Sequence, residues 1–410
     1  MDLYPRELYL KKIRGFYHDE EIIKVITGVR RCGKSSLMQT IVQELAAMNV
    51  KPEQIIYLDL DERQYRKVTT ADALEALIEA RDPGNGMRYL FIDEIQNVRD
   101  FEPVINGFRT DGGWSVFITG SNSYLLSGEL VTKLTGRYIE FEMFPLSFEE
   151  YEKMKQFYNM TIDTNPMLEL NQYILSGGFP KALQYHDFVE KRRYIQGIVQ
   201  EIFEKDIRQR MKIRDVDTFE TVRKYLIANF GATTNISNIC NYLRAQGIVI
   251  TRETVTRYVQ ILVNAKILYE CPCFDVKSKK SLHTEKKYYL SDLGFFYADN
   301  TDNRINYGPV LENMVYTYAK THDYQISVGR IGKLECDFIV RGPSMDYAYI
   351  QVAYTILQSK DTEDREYRPL EMIRDNYPKY VLTTDYLLQR RDGIVHANLL
   401  DFMINGKMFC

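Results

Sequence analysis

The 410-residue sequence lacks long hydrophobic runs, and no apolar stretch approaches the ~18 to 20 residues that a membrane-spanning helix needs. Its first residues, Met1 to Arg6, also lack the apolar stretch and small-residue cleavage site of a signal peptide. Cysteines are few and scattered, and Cys32 lies in a predicted ligand loop that a disulfide would obstruct. We therefore expect a protein of the reducing cytoplasm with no membrane segment.

Net charge is also small, because 53 Lys/Arg stand against 56 Asp/Glu and give a formal charge of −3. The balance hides an asymmetry, since residues 201–290 hold 16 Lys/Arg against 10 Asp/Glu. An excess of positive charge favours a polyanionic partner such as DNA. A solvated face with surplus lysines explains the same excess equally well.

The first third of the chain alternates short apolar runs with helical patterns. The predicted strands span residues 22–27, 55–60, 89–93, 115–119 and 138–144. Strands that alternate with helices predict an α/β fold with a parallel, doubly wound sheet. Ser147 and Glu150 then form a helix-capping pattern, so we end this first domain at residue 150.

Residues 28–35, GVRRCGKS, fit the pattern G-x-x-x-x-G-K-[ST] between a predicted strand and a predicted helix. Backbone N–H groups of such a P-loop and the helix N-terminus surround phosphates. Lys34 is expected to neutralise the β- and γ-phosphates, and Ser35 to offer its hydroxyl to Mg²⁺. The pattern predicts ATP and Mg²⁺ as cofactors. The predicted nucleotide-binding residues are Gly28, Val29, Arg30, Arg31, Cys32, Gly33, Lys34, Ser35 and Ser36.

Two carboxylates follow the third predicted strand, as in a Walker B segment. Asp93 is predicted to hold the metal and Glu94 to orient the attacking water, because phosphoryl transfer needs mainly positioning and charge stabilisation. The alternative is a polar cap on the strand end.

Two further residues are predicted to act in catalysis. Asn122, with Ser121 as the weaker choice, follows the fourth strand at the edge where ligands of open α/β sheets bind. Arg137 precedes the fifth strand, from where it could reach the nucleotide of a neighbouring subunit. A surface salt bridge is the alternative role for Arg137.

Three further domains are predicted: a helical connector at 151–230, a winged helix at 231–295 and a second α/β unit at 296–410. The winged helix is expected to have helices at 236–243 and 252–264 and wing strands at 267–274 and 287–290. DNA contacts are predicted from its polar and basic residues. These are Arg244, Arg252, Thr254, Thr256, Arg257, Lys277, Lys279 and Lys280. Packing against protein is the alternative use of this surface.

Seven stretches carry a further signal: TGVRRCGKSSL at 27–37, FIDEIQ at 91–96, TGSN at 119–122, GR at 136–137, PLSF at 145–148, SGGFP at 176–180 and KYYLSDLG at 287–294. Together they resemble a family of AAA-like ATPases, AAA_14 fused to DUF4143. The resemblance implies that the last unit is similar to a restriction-endonuclease fold, with an acidic metal site and a lysine.

The candidates for that implied site are Glu312, Asp337 and Gln351, with Tyr354 beside them. Where the pattern expects an acid, one residue and a lysine, this chain has Gln351 and Ala353. We therefore expect a degenerate nuclease domain that binds without cutting.

The first hypothesis is a Mg²⁺-dependent ATPase that moves a winged helix and a nuclease-like module on DNA, as a homo-oligomer or with a protein partner. The rival hypotheses are a nucleotide-gated protein-interaction switch and an active metal-dependent nuclease.

Overall fold

The computed structural model describes residues 2–120, 134, 136–208, 213, 215–278, 280–300 and 304–410. It divides into two compact units, Met1–Met143 and Phe144–Cys410. Within those described ranges, no helix combines the length and the apolar character that a membrane span requires.

The first unit is built on a sheet whose five described strands all run parallel, in the order β2-β3-β4-β1-β5. The strands are β1 Ile23–Gly28, β2 Ile55–Asp59, β3 Arg88–Asp93, β4 Trp114–Thr119 and β5 Tyr138–Met143. Both β1 and β4 are buried along their whole length, as expected of strands covered by helices on both faces. The predicted α/β fold with a parallel sheet is confirmed.

The described residues of this unit form four α-helices beside the sheet. They are α1 Glu7–Ile13, α2 Lys34–Ala47, α3 Ala71–Glu79 and α4 Glu102–Asp111. β1 lies between β4 and β5, so the order of the strands reverses at β1. The crevice beyond the carboxyl end of β1 is therefore where an open α/β sheet offers a ligand site.

The second unit begins with helices α5 to α8, interrupted by a 3₁₀ turn at Pro180–Gln184 and a π-helical stretch at Ile202–Arg208. The helices are α5 Phe148–Phe157, α6 Pro166–Ser176, α7 Phe188–Glu201 and α8 Val216–Ala228. The predicted cap is confirmed at α5. The Ser147 hydroxyl accepts from the Glu150 N–H at 3.2 Å, and the Glu150 carboxylate accepts from the Ser147 N–H at 3.2 Å.

The SGGFP turn is held by an aspartate from a distant stretch. The buried Asp292 carboxylate accepts from the N–H groups of Gly178 and Gly294, each at 2.7 Å. A Cβ at Gly178 would lie 2.2 Å from the Leu146 carbonyl oxygen, so glycine is required there. The SGGFP and SDLG stretches noted in the sequence are thus parts of one buried contact.

The rest of the second unit contains helices α9 to α14 and strands β6 to β14. The helices are α9 Ile236–Ala245, α10 Arg252–Asn264, α11 Gly294–Asp299, α12 Tyr307–Thr321, α13 Lys360–Glu371 and α14 Leu399–Ile404. The strands are β6 Thr233–Thr234, β7 Leu268–Asp275, β8 Lys280–Leu290, β9 Gln325–Ile331, β10 Leu334–Arg341, β11 Tyr347–Val352, β12 Lys379–Thr383, β13 Arg390–Arg391 and β14 Ile394–Asn398.

These nine described strands form one sheet, in the order β13-β14-β12-β11-β10-β9-β7-β8-β6. β7 pairs antiparallel with β8 and parallel with β9, for example Cys273 beside Val328. The sheet therefore crosses the domain boundary predicted between residues 295 and 296. β8 is also longer than the predicted strand at 287–290. The division into a first domain and three further domains stays a prediction.

Candidate nucleotide site and acid cavity

The P-loop connects β1 to α2 through backbone conformations that favour glycine. Gly28 has φ +143° and Gly33 has φ +110°, and Arg31 between them is left-handed at φ +68°. A Cβ on Gly28 would lie 2.3 Å from the Met143 carbonyl oxygen, so the loop passes directly against β5. The two glycines therefore allow a tight curl whose N–H groups can face a phosphate.

Lys34 is the first residue of α2, and its ammonium points back over the loop. Its Nζ donates to the carbonyl oxygens of Gly28 at 3.0 Å and Val29 at 3.3 Å, and the residue is buried. The ammonium is thus held at the centre of the curl by neutral acceptors. A phosphate oxygen is a stronger, charged acceptor that can replace these carbonyls.

An N-terminal arginine supports the loop from outside the motif. Arg6 is 4% exposed and donates from Nη1 to the Cys32 carbonyl oxygen at 3.0 Å. This contact fixes the chain between Arg31 and Gly33. The local P-loop motif gives no sign of Arg6, because the contact spans 26 residues.

The Asp93 carboxylate lies at the carboxyl end of β3 and is 1% exposed. It accepts hydrogen bonds from the Thr119 hydroxyl, at the end of β4, and from the Tyr57 hydroxyl at 3.4 Å. The Thr119 hydroxyl also accepts from the Glu94 N–H at 3.1 Å. Thr119 therefore contacts both residues of the pair, through the Asp93 carboxylate and the Glu94 backbone, a role that the sequence prediction gave to no residue.

Glu94 has a left-handed backbone at φ +58°, which is strained for a glutamate. Its carboxylate accepts from the Gln96 side-chain amide and lies 4.0 Å from the Arg30 guanidinium of the P-loop. The Glu94 side chain remains 14% exposed. Glu94 and the P-loop thus meet at one edge of the sheet, with the carboxylate accessible to water.

The donor set suits Mg²⁺. Ser35 offers a hydroxyl from the first turn of α2, and Asp93 offers a buried carboxylate that already holds two O–H donors. Hydroxyl, carboxylate and phosphate oxygens are the ligands that Mg²⁺ prefers, usually with retained waters.

The structure does not bring Arg137 to this site. Arg137 precedes β5, its carbonyl accepts from the Ile23 N–H at 2.9 Å, and Nη1 donates to Asn106 Oδ1 at 3.3 Å. It therefore lies at the amino end of the parallel strands, whereas Gly28 is at the carboxyl end of β1. Its predicted contact with the nucleotide of a neighbouring subunit stays a prediction. Asn122 and Ser121 lie outside the described residues.

The predicted DNA-contact surface lies on α9, α10 and the β7–β8 hairpin. The predicted apolar face of α10 is buried through Val255, Tyr258, Val259 and Leu262. Arg252, Thr256 and Arg257 are exposed on the opposite side. Arg244 and two of the predicted contact lysines, Lys277 and Lys280, are exposed as well. Lys279 lies outside the described residues.

The second predicted site is also brought together. Glu312 on α12, Asp337 on β10 and Gln351 on β11 line one cavity of about 460 Å³, with Ala353 and Tyr354 at its side. The Asp337 carboxylate accepts from the Val352 N–H at 2.8 Å, and the Gln351 amide donates to the buried Glu366 on α13 at 3.0 Å. Sequence analysis missed Glu366, which the fold adds to the cavity.

A lysine from β8 neutralises part of the negative charge at this cavity. Lys287 Nζ lies 2.9 Å from Glu312 Oε2 and 2.7 Å from Glu335 Oε1. Burial raises the pKa of Asp337 well above its usual value, the Glu312 charge adds to the rise, and Lys287 opposes it. Burial likewise raises the pKa of Glu312. Among the described residues, no three His, Cys, Asp or Glu side chains are grouped to hold a metal ion.

Two family models match parts of this chain. Residues 20–152 match the family model of an AAA domain, and residues 167–303 match a domain of unknown function, DUF8612. An uncharacterized protein of Haemophilus influenzae is 32% identical over 98% of this chain and 99% of its own length. The chain belongs to this family of AAA-domain proteins. The second domain matched is DUF8612 instead of the DUF4143 that the sequence motifs suggested.

Other likenesses are more distant. An uncharacterized protein of Methanocaldococcus jannaschii is 29% identical over 88% of this AAA-domain chain and 82% of its own length. The Aeropyrum pernix ORC1 protein, solved in complex with DNA, is 15% identical over 73% of this chain and 93% of its own, with a TM-score of 0.32. A similarity this low carries no argument about function.

Proposed function

We propose that the chain binds ATP with Mg²⁺ and hydrolyses it at the carboxyl edge of β1 and β3, and that the nucleotide state repositions a DNA-binding second unit. The observation that carries the proposal is the meeting of the P-loop with Glu94, whose carboxylate lies 4.0 Å from Arg30. A loop that only bound nucleotide would have no use for an accessible carboxylate beside the terminal phosphate.

Each residue has a role that follows from its contacts. Lys34 exchanges its two carbonyl acceptors for phosphate oxygens and balances their charge. Thr119 holds Asp93 and the Glu94 backbone, so that the Glu94 carboxylate can orient a water for attack. Mg²⁺, held by Ser35 and Asp93, would neutralise charge that develops on the phosphates.

Glu94→Gln tests the enzyme against the nucleotide-gated switch. The amide keeps the size of the side chain but cannot polarise water, so we expect ATP binding to persist while phosphate release falls by about 100-fold or more. The matched control is Glu75→Gln, which makes the same change on the exposed face of α3. Lys34→Ala should weaken binding itself. Equal turnover by the Glu94→Gln variant and the wild type would refute hydrolysis at this site and leave the switch.

DNA binding is the finer part of the proposal, and the exposed side of α10 supports it. Part of the positive excess of residues 201–290 is internal, because Lys286 pairs with Glu270 at 2.7 Å and Lys287 is buried. Arg252 and Arg257 remain exposed on α10. Each phosphate that an arginine neutralises makes the slope of the logarithm of the DNA association constant against the logarithm of salt concentration more negative by about 0.9.

The double variant Arg252→Ala/Arg257→Ala should therefore bind duplex DNA more weakly, and its affinity should depend less on salt. Fluorescence anisotropy from about 50 to 200 mM salt measures both, because phosphate contacts are lost over about that range. The control is Lys333→Ala, an exposed lysine in the β9–β10 turn. If the wild type shows no salt-sensitive affinity for duplex, branched or single-stranded DNA, the second unit binds protein instead.

A further inference from the structure

One acid that lines this cavity, Glu312, is already paired with a cation that belongs to the chain. Lys287 is 5% exposed, and its ammonium lies between Glu312 at 2.9 Å and Glu335 at 2.7 Å. Tyr289 donates from its hydroxyl to the same Glu312 oxygen at 2.9 Å. Lys287 and Tyr289 are two residues apart on β8, so one face of this strand supplies both donors.

The remaining carboxylates are also engaged by donors from the chain. Glu335 binds Arg330 at 2.8 Å through its second oxygen, and Asp337 accepts from the Val352 N–H. Glu366 accepts from Gln351. A divalent ion needs several oxygens at about 2.0 to 2.6 Å around one point. The described residues offer no such group. The carboxylate oxygens instead accept from an ammonium and from N–H groups.

The residues therefore do not fit the metal that a nuclease-like site implies. The strand position that would carry the lysine is Ala353, yet a lysine from a different strand reaches the acids. Removing Lys287 would take the shared ammonium from Glu312 and Glu335, whose charges also act on the buried Asp337. Like charges so placed repel strongly unless a proton or another cation enters.

We propose that the Lys287 ammonium, held against Glu312 at the side of this cavity, occupies the place of a divalent metal, and that removing it creates a site for Mn²⁺ or Mg²⁺. The wild-type cavity then takes no divalent ion, and the chain does not cut DNA there. Lys287 belongs to the hairpin of the predicted wing, whereas its two partners belong to α12 and β10. The inference does not depend on ATP hydrolysis, because the cavity lies in the second unit.

The test is Mn²⁺ binding by the full chain without nucleotide, followed by the electron paramagnetic resonance signal of free Mn²⁺. Carboxylate and carbonyl ligands suit Mn²⁺. We expect Lys287→Met to bind one more Mn²⁺ per chain than the wild type, and Lys287→Met/Glu312→Gln to lose it. The matched control is Lys286→Met, whose lysine pairs with Glu270 on the neighbouring strand. It should bind as the wild type does.

Folding is followed by circular dichroism for every variant. If Lys287→Met is folded only when Mn²⁺ is present, the ion replaces the ammonium and the proposal holds. If Lys287→Met folds and gains no Mn²⁺, or if it stays unfolded with Mn²⁺, the proposal is overturned. Wild-type Mn²⁺ binding that Glu312→Gln removes would also overturn it. So would plasmid cleavage by the wild type in Mn²⁺ that Asp337→Ala abolishes.

Discussion

Gly28→Ala is the sharpest test of the P-loop geometry. The new Cβ would lie 2.3 Å from the Met143 carbonyl oxygen and 2.8 Å from the Cys32 sulfur, where ordinary contacts are 3.4 to 4 Å. The loop must therefore move by about 1 Å away from β5, a displacement large enough to cost about 100-fold where positioning matters. The backbone at φ +143° adds about 1 to 3 kcal/mol of strain for a residue with a Cβ.

Strain of that size corresponds to a loss of about 10- to 100-fold in affinity if binding must restore the loop. We expect a fluorescent ATP analogue to bind the variant that much more weakly, with a thermal melt to separate local from global effects. The matched control is Gly15→Ala, where nothing lies within 4 Å of the added Cβ. Wild-type affinity in Gly28→Ala would show that the loop amides do not hold the phosphates as argued.

Three further perturbations have defined outcomes. Thr119→Val removes the hydroxyl that orients Asp93, so the apparent affinity for Mg²⁺, measured by Mg²⁺ titration of ATP turnover, should fall by about 10- to 100-fold. An unchanged titration would contradict the role of Thr119. Lys155→Met leaves the fully buried Glu169 without its ammonium partner, so the free energy of unfolding, measured in urea, should fall by about 3 to 5 kcal/mol. Burial raises the pKa of Asp292 to about 6, so the native chain keeps a proton that the unfolded chain releases. Stability should therefore fall by about 3 kcal/mol as the pH rises from about 4 to 6, and urea unfolding of Asp292→Asn should lack this slope.

Local sequence was enough for the first sheet and for the P-loop. Each strand pattern, and the motif that contains the glycines and Lys34, is contained in a few consecutive residues and can be recognised from them alone. The amino-edge position of Arg137 was also readable, since it precedes β5 instead of following it. The sequence could not predict Arg6 or Thr119, because their contacts with the P-loop and with Asp93 depend on tertiary packing and strand order.

The acid cavity shows the same limit more strongly. Glu312, Asp337 and Gln351 were found because the resemblance gave their spacing, and the structure gathers them around one space. Glu366 and Lys287 come from elements whose positions depend on the pairing of distant strands. β7 joins β9 about fifty residues later, and no local pattern in either strand specifies that partner.

The hydrogen-bonded junction of β8, β7 and β9 has a mechanical consequence. A sideways force on the β7–β8 hairpin would act on the backbone hydrogen bonds that join β7 to β8 and to β9. These bonds resist shear, so the force would pass to β9 with little bending of the hairpin. The hairpin, β9 and β10 should consequently move together as one rigid group. A load applied at one end would be felt at the carboxylates held by Lys287.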